Sequence, residues 1–245
     1  MTLPGIYQQR NIIVYRDGTA KSMQVSIVVE KALKIYLNNR QISILSCSPG
    51  SWTELGVGFL FSQGLIQDRG QIKSIRCDQD DALWVETYDT TSRVDVLRDP
   101  NLVALPKSES RFQVSDLLEW IAELDRQSTA FRLTGGVHSA ALAGKGHGLL
   151  VRFEDVGRHN AVDRVLGYML LNGLTTADKC LVLSGRIASE IFVKAARARL
   201  PLIVSRSAPT MHTVQLAEQL GITVVGFARG SQLSVYSRGE RIMFQ

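Results

Sequence analysis

Over much of the first half of the chain, apolar and polar residues trade places with a period near two. Gln24–Val29 alternates and is rich in β-branched side chains, and Leu33–Leu37 and Ile42–Leu45 continue the pattern. Between the last two, Asn38-Asn39-Arg40-Gln41 predicts a hairpin turn. Ile72–Cys77 and Leu83–Tyr88 predict another strand pair around Asp78-Gln79-Asp80-Asp81. One helix interrupts them. Over Trp52–Gln63, Leu55, Phe59 and Leu60 share a face, Ser51 can cap the start and Gly64 can end it. Arg98–Arg111 holds two prolines, several charges and little periodicity, and reads as a linker. The expected organisation is a smaller β-rich N-terminal domain, 1–110, and an α/β domain, 111–245.

After an amphipathic helix over Val114–Leu124 and the segment Leu133–His138, strands and helices alternate. The strands are Leu149–Phe153, Cys180–Leu183, Leu202–Ser205, Thr223–Phe227 and Leu233–Tyr236; the helices are Ala161–Leu171, Ser189–Arg199 and Met211–Leu220. Thr210 stands at an N-cap position and Gly221 at a C-cap position. This order predicts a three-layer α/β domain with a mixed sheet whose strands are largely parallel, in which Leu149–Phe153 and Cys180–Leu183 are neighbours.

Composition narrows the picture only modestly. Hydrophobic residues at 45% and charged residues at 21% suit a globular chain with an ample core. A net charge of +5 fits a phosphate-bearing partner without calling for nucleic acid. The longest apolar run, Leu200–Val204, is far too short to span a bilayer, and no signal peptide is visible, so no membrane association is expected. Three cysteines, Cys47, Cys77 and Cys180, argue against a disulfide framework and for a reducing cytoplasm. Cys47 precedes a helix, a position that can lower a thiol pKa; Cys180 opens a buried strand.

Candidate chemistry lies in the loops that follow the strands. Gly157-Arg158-His159-Asn160, Ser184-Gly185-Arg186 and Ser205-Arg206-Ser207-Ala208-Pro209-Thr210 each lead from a strand into a helix. In an open α/β sheet ligands sit at the carboxyl ends of strands, where helix N-termini offer free N–H groups and partial positive charge. An arginine in each loop adds a planar cation, and Phe227-Ala228-Arg229-Gly230-Ser231-Gln232 ends another strand the same way. Together they predict a cleft for a bulky polyanion, with Arg158, Arg186, Arg206 and Arg229 facing it. Each motif also has a structural reading: Asn160 as a helix cap, Asp163 in the first turn paired with Arg158, Ser189 as a cap, and a hairpin after Phe227. Thr134-Gly135-Gly136-Val137-His138-Ser139-Ala140-Ala141-Leu142 fits either a backbone approach to ligand or a tight turn running into a helix start. Gly144-Lys145-Gly146-His147-Gly148 reads as a flexible loop between a helix and a strand. Gly-x-Gly-x-x-Gly after a strand, Cys-x-x-Cys and Gly-x-Ser-x-Gly are all absent, so dinucleotide, zinc-knuckle and hydrolase-elbow fingerprints are missing.

The blocks Thr134–His138, Val156–Asp163, Ser184–Arg186 and Ser207–Thr210, in this order, resemble the formate dehydrogenase accessory protein family, FdhD/NarQ. Gly58–Ile66 resembles its N-terminal helix motif and Val225–Arg229 its C-terminal strand. The resemblance implies a C-terminal domain like the cytidine deaminase fold, a homodimer and a cytoplasmic location. It implies a sulfur carrier that takes persulfide sulfur from a cysteine desulfurase. The sulfur passes to the bis(molybdopterin guanine dinucleotide) molybdenum cofactor of formate dehydrogenase, of which GDP is a partial mimic. The cofactor-binding residues expected are Gly135, Gly136, Val137, His138, Gly157, Arg158, His159, Asn160, Ser184, Gly185, Arg186, Arg206, Ser207, Pro209, Thr210, Phe227, Ala228, Arg229, Gly230, Ser231 and Gln232, with no catalytic residue and no metal ligand.

One departure matters. The family carries a Cys-Gly-x-Cys-Gly loop between its domains, and the corresponding Leu105–Arg111 has no cysteine. Serine cannot hold a persulfide, so either Cys47 substitutes or the chain is a cofactor-binding chaperone or a degenerate paralogue without sulfurtransferase activity. A zinc deaminase is disfavoured, because His138-Ser139-Ala140 lacks the proton-moving Glu and the cysteine pair is missing.

Overall fold

The computed structural model describes residues 5–78, 81–88, 102–105 and 110–244. The Gln79-Asp80 turn and residues 98–101 and 106–109 of the expected linker lie outside the described residues. The chain opens with an unforeseen strand, β1 (Tyr7–Arg16), paired only with β2 (Thr19–Val28). β3 (Lys31–Leu37) and β4 (Arg40–Cys47) follow, joined by Asn38 and Asn39. Both asparagines have positive φ, 48° and 63°, which this residue type tolerates best after glycine, so the expected turn tightens to two residues. β5 (Ile72–Cys77) and β6 (Ala82–Thr87) complete a four-stranded sheet ordered β4-β3-β6-β5.

α1 (Trp52–Ser62) crosses behind this sheet. Ser51 stands at its N-cap in a left-handed conformation, and its side chain makes no capping bond. Gly64, at φ 74°, ends the helix: its N–H donates to Phe61 O while Leu65 N–H reaches Leu60 O. Burial runs nearly all round α1 because its far side meets α4 (Arg158–Leu171). There the backbones nearly touch. A β-carbon on Gly58 would fall inside the Asp163 carbonyl, and one on Gly167 inside that of Glu54.

A six-stranded sheet forms the rest, ordered β13-β12-β11-β10-β8-β9. A short β7 (Phe112–Gln113) leads into α2 (Val114–Gln127) and α3 (Thr129–Thr134). The sheet strands are β8 (His138–Gly144), β9 (Gly148–Asp155), β10 (Lys179–Leu183), β11 (Leu202–Ser205), β12 (Thr223–Arg229) and β13 (Gln232–Ser237), with β14 (Ile242–Met243) pairing β7 outside it. Side-chain alternation builds three layers. Ala141, Cys180, Val182, Leu202, Val204 and Val225 meet α2, whereas Ala140, Leu142, Leu181, Leu183, Ile203 and Val224 join the other core, with α4 and α5 (Ser189–Arg197). α6 (Met211–Leu220) packs on β12 and β13, again opposite α2. The second core continues through α1 to Leu33, Ile35 and Leu83 of the small sheet.

Several expectations change here. The sheet is mixed, as expected, but less parallel: only β10–β11 and β11–β12 are parallel, β8–β9 and β12–β13 are antiparallel hairpins, and β10 runs against β8. Leu149–Phe153 is not beside Cys180–Leu183, since β8 lies between them. Ser139–Leu142 is strand rather than a helix start, and Gly144–Gly148 turns one strand back on the next. Thr210 caps α6 as expected, its side chain accepting from Thr213 N–H, and Gly221 ends it at φ 69°. The cap position of α4 is Gly157, not Asn160, and that of α5 is Ala188, not Ser189.

Candidate functional site

Because β8 runs against β10, its first residues share one rim with the last residues of β9, β10, β11 and β12. Backbone and serine groups stitch this rim together. Ser184 N–H donates to Ser139 O at 3.0 Å, and Ser139 N–H to Ser184 Oγ at 2.9 Å. Ser205 Oγ donates to Gly185 O at 2.6 Å and accepts from Ser207 N–H at 3.0 Å, while Phe227 N–H donates to Ser207 O at 3.1 Å. Phe227 has φ 51°, a conformation an aromatic residue seldom takes, at an irregularity in the β12–β13 ladder.

On the α2 side of the rim opens a cavity of about 430 Å³, within the usual range for a small-molecule pocket. Of the expected residues, His138, Ser184, Arg206, Ser207, Phe227 and Arg229 line it. Asp125, Ser128, Phe131 and Ser139 also line it and were not foreseen. Phe131 and Phe227 stay 43% and 39% exposed at its wall, so two aromatic side chains keep free surface there. Arg206 pairs with Asp125 at 3.2 Å, both near the solvent, so this cation is only partly offset.

Arg158 and Arg186 do not line the cavity. Arg158 lies beside it: Gly185 sits against both the His138 ring and the Arg158 stem, and Arg158 Nε is buried without a hydrogen-bond partner among the described residues. Burial, then the neighbouring Arg158 and His159, pushes His138 below its usual pKa, so it is a neutral imidazole at pH 7.

The remaining expected residues go elsewhere. His159 and Asn160 open on a second, larger cavity of about 590 Å³ across the sheet, where the first turns of α4, α5 and α6 meet. Helix N-termini thus face one cavity and rim arginines the other. The larger cavity's buried cation, Lys194, is already held by Asp163 at 2.6 Å and by Ser62 at 3.0 Å. Burial raises Asp163 against the pull of that lysine. His159 Nε2 stands 2.9 Å from Glu190 but is poorly aligned for a hydrogen bond, and burial, Lys194 and Arg158 depress its pKa. Asn160 points inward, donating to Ser46 O at 2.7 Å and Asp155 Oδ1 at 3.0 Å, and Gly157 N–H donates to Asp155. Asp163 pairs with Lys194 rather than Arg158. Gly135 ends α3 at φ 65°, Gly136 lies against Val28, and Val137 is buried with Ile6 and Ala130. Pro209 bridges to Ile187, Thr210 is occupied as a cap, and Ala228 is core. Gly230 and Ser231 form the exposed β12–β13 turn that Gln232 follows.

No sequence signal marked Arg164, which is fully buried. Its Nε and Nη2 donate to Asp155 Oδ2 at 3.0 and 2.7 Å, and it reaches the carbonyls of Ser48, Gly50 and Ser51. Asp155 also accepts from Ser48 N–H and, as above, from Gly157 and Asn160. This cluster ties the loop before α1 to the turn that presents Arg158.

Cys47 is buried, and desolvation followed by Asp155 pushes its thiol up to about 12, the reverse of activation at a helix terminus. Burial raises Cys180 well above its ordinary range, while Cys77 is exposed. Iodoacetamide at pH 8 is therefore expected to label Cys77 and spare Cys47 and Cys180; peptide mass spectrometry showing rapid Cys47 labelling would contradict this assignment. Among the described residues no cluster of His, Cys, Asp or Glu could hold a metal, and no helix is long and apolar enough to cross a membrane.

Comparison with known proteins gives a consistent result. The FdhD/NarQ family model matches residues 28–243. The sulfur carrier protein FdhD of Bacillus subtilis (strain 168) is 35% identical, over 95% of this chain and 96% of its own. That of Listeria innocua is 34% identical, over 97% and 99%. The crystal structure of a Desulfotalea psychrophila protein described as a formate dehydrogenase accessory protein superposes with a TM-score of 0.86 at 31% identity, covering 97% of this chain and all of that one.

Proposed function

Since this chain belongs to the FdhD/NarQ family, we propose that it acts in formate dehydrogenase maturation as a cytoplasmic sulfur carrier that holds the bis(molybdopterin guanine dinucleotide) molybdenum cofactor and carries sulfur to it from a cysteine desulfurase. The carrying observation is the rim cavity, where Arg206 and Arg229 stand beside the exposed rings of Phe131 and Phe227. Cations with hydroxyls suit a diphosphate, and free aromatic faces suit a purine. The cavity holds one guanosine diphosphate arm, not the whole cofactor. Arg158, beside the cavity, adds positive charge that favours the phosphates. A cysteine desulfurase and formate dehydrogenase are the partners this role requires, and the working form is a homodimer.

Titration with GDP tests the reading. Arg158→Ala is expected to weaken binding more than tenfold, which is about 1.4 kcal/mol, and Arg206→Ala and Arg229→Ala to weaken it as well. Unchanged affinity in all three would remove the rim from the site.

A second reading, a cofactor chaperone that transfers no sulfur, is favoured by the burial of Cys47 together with the cysteine-free stretch Leu105–Arg111. Incubation with a cysteine desulfurase and cysteine, followed by peptide mapping, separates the two. Persulfide on Cys47 supports transfer. GDP binding without any persulfide supports the chaperone.

A further inference from the structure

One residue at the wall of the rim cavity runs against the charge of the guest assigned to it. Among the described residues that line the cavity, Asp125 is the one carboxylate. A negative group beside a diphosphate repels it. The helix gives no reason for the residue either: Asp125 stands in the last turn of α2, where the macrodipole favours a cation. Arg206, at 3.2 Å, offsets the charge only in part, because both side chains are near solvent. The carboxylate is nevertheless presented from a fixed backbone. Ser128 N–H and Arg132 Nη1 donate to the Asp125 carbonyl at 3.3 and 3.2 Å. Ser128 Oγ lies 2.7 Å from Ser139 Oγ of β8, which pins this end of α2 to the rim. Phe131 and Phe227 line the same cavity.

An ionised carboxylate only accepts, through two adjacent oxygens. Guanine presents the matching edge, with its ring N1–H beside its 2-amine. Adenine presents a ring acceptor beside an amine there. Resting on the cofactor reading above, we infer that Asp125 is the specificity-determining residue of this cavity. Its two oxygens accept from the N1–H and the 2-amine of guanine, and Arg206 fixes the orientation of the carboxylate. Two charge-assisted bonds outweigh the repulsion from the phosphates, which Arg229 and Arg158 meet. A site built to hydrogen-bond one base edge rejects an edge that leaves its buried acceptors unpaired.

Calorimetric titration of the full chain with nucleoside diphosphates tests this. The unaltered chain is expected to bind GDP roughly tenfold or more tighter than ADP. Inosine diphosphate, which keeps the N1–H and lacks the 2-amine, is expected to fall between them. Asp125→Asn exchanges one acceptor for a donor. It is expected to bind GDP roughly tenfold or more weakly than the parent and to prefer xanthosine diphosphate, whose 2-carbonyl accepts from the new amide. A carboxylate that serves only to hold Arg206 gives the opposite result, since loss of its charge tightens every nucleoside diphosphate alike. Gain of the xanthine nucleotide is a readout that misfolding cannot mimic, and the order of affinities in the parent needs no variant. A parent that binds GDP and ADP equally, or an Asp125→Asn chain that keeps parental GDP affinity or binds xanthosine diphosphate no better than GDP, would overturn the assignment and leave the guanosine diphosphate arm in its cavity. A parent that binds neither GDP nor ADP would overturn the cofactor reading with it, so the two failures are distinguishable.

Discussion

Arg164→Ala is expected to cost the fold about 3–5 kcal/mol, the usual penalty for breaking a buried ion pair. Asp155 and Arg164 are both fully buried, and the arginine also serves three backbone carbonyls. Alanine would leave a carboxylate without its cation and would take a donor from three backbone carbonyls, of which only that of Ser51 keeps another, the Leu55 N–H, among the described residues. For a chain of this size the thermal midpoint should fall on the order of 10 °C. Arg164→Lys keeps the charge and loses the planar fork, so it should land between the two. A calorimetric midpoint for the alanine variant within a degree or two of the parent would show that the cluster is not a determinant of stability. The same variant should weaken GDP binding, since Asp155 fixes the Gly157 turn that presents Arg158.

Gly58→Ala is expected to be at least as damaging, about 4 kcal/mol or more, because the added carbon meets backbone rather than a side chain that can rotate away. The α1–α4 crossing would have to open, and with it the core that joins the two sheets. Low soluble yield, or a midpoint depressed at least as far as that of Arg164→Ala, is the expected outcome. A well-folded Gly58→Ala protein with an unchanged midpoint would mean that the helices have room to part.

Much of this architecture could be read from local pattern. β5 and α6 fall where alternation and caps place them, because each is an ordinary amphipathic element between strong turn signals, and β11, buried on both faces, falls where its short β-branched apolar run places it. β8 carries no strand signal, because Ser139-Ala140-Ala141-Leu142 has helix-favouring alanine and shows no period of two. In a strand covered on both faces the alternation vanishes and tertiary packing overrides propensity. β1 escaped for the opposite reason: exposed on both faces, it shows no contrast either. The rim itself was legible, since strand-end loops in an α/β sheet share an edge. Its division into two cavities was not, because that depends on which face of the sheet each side chain takes. Lys194–Asp163 and the contacts of Arg164 with the loop before α1 join residues far apart in the chain, beyond any local signal.

The stitched rim from Ser139 through Ser184, Ser205 and Ser207 to Phe227 has a kinetic consequence. A wall whose donors and acceptors already satisfy one another is a finished mould, and a guest entering it need not freeze loose loops. Capture should then proceed at ordinary encounter rates. Differences in tightness among guests should show up in how long each one stays.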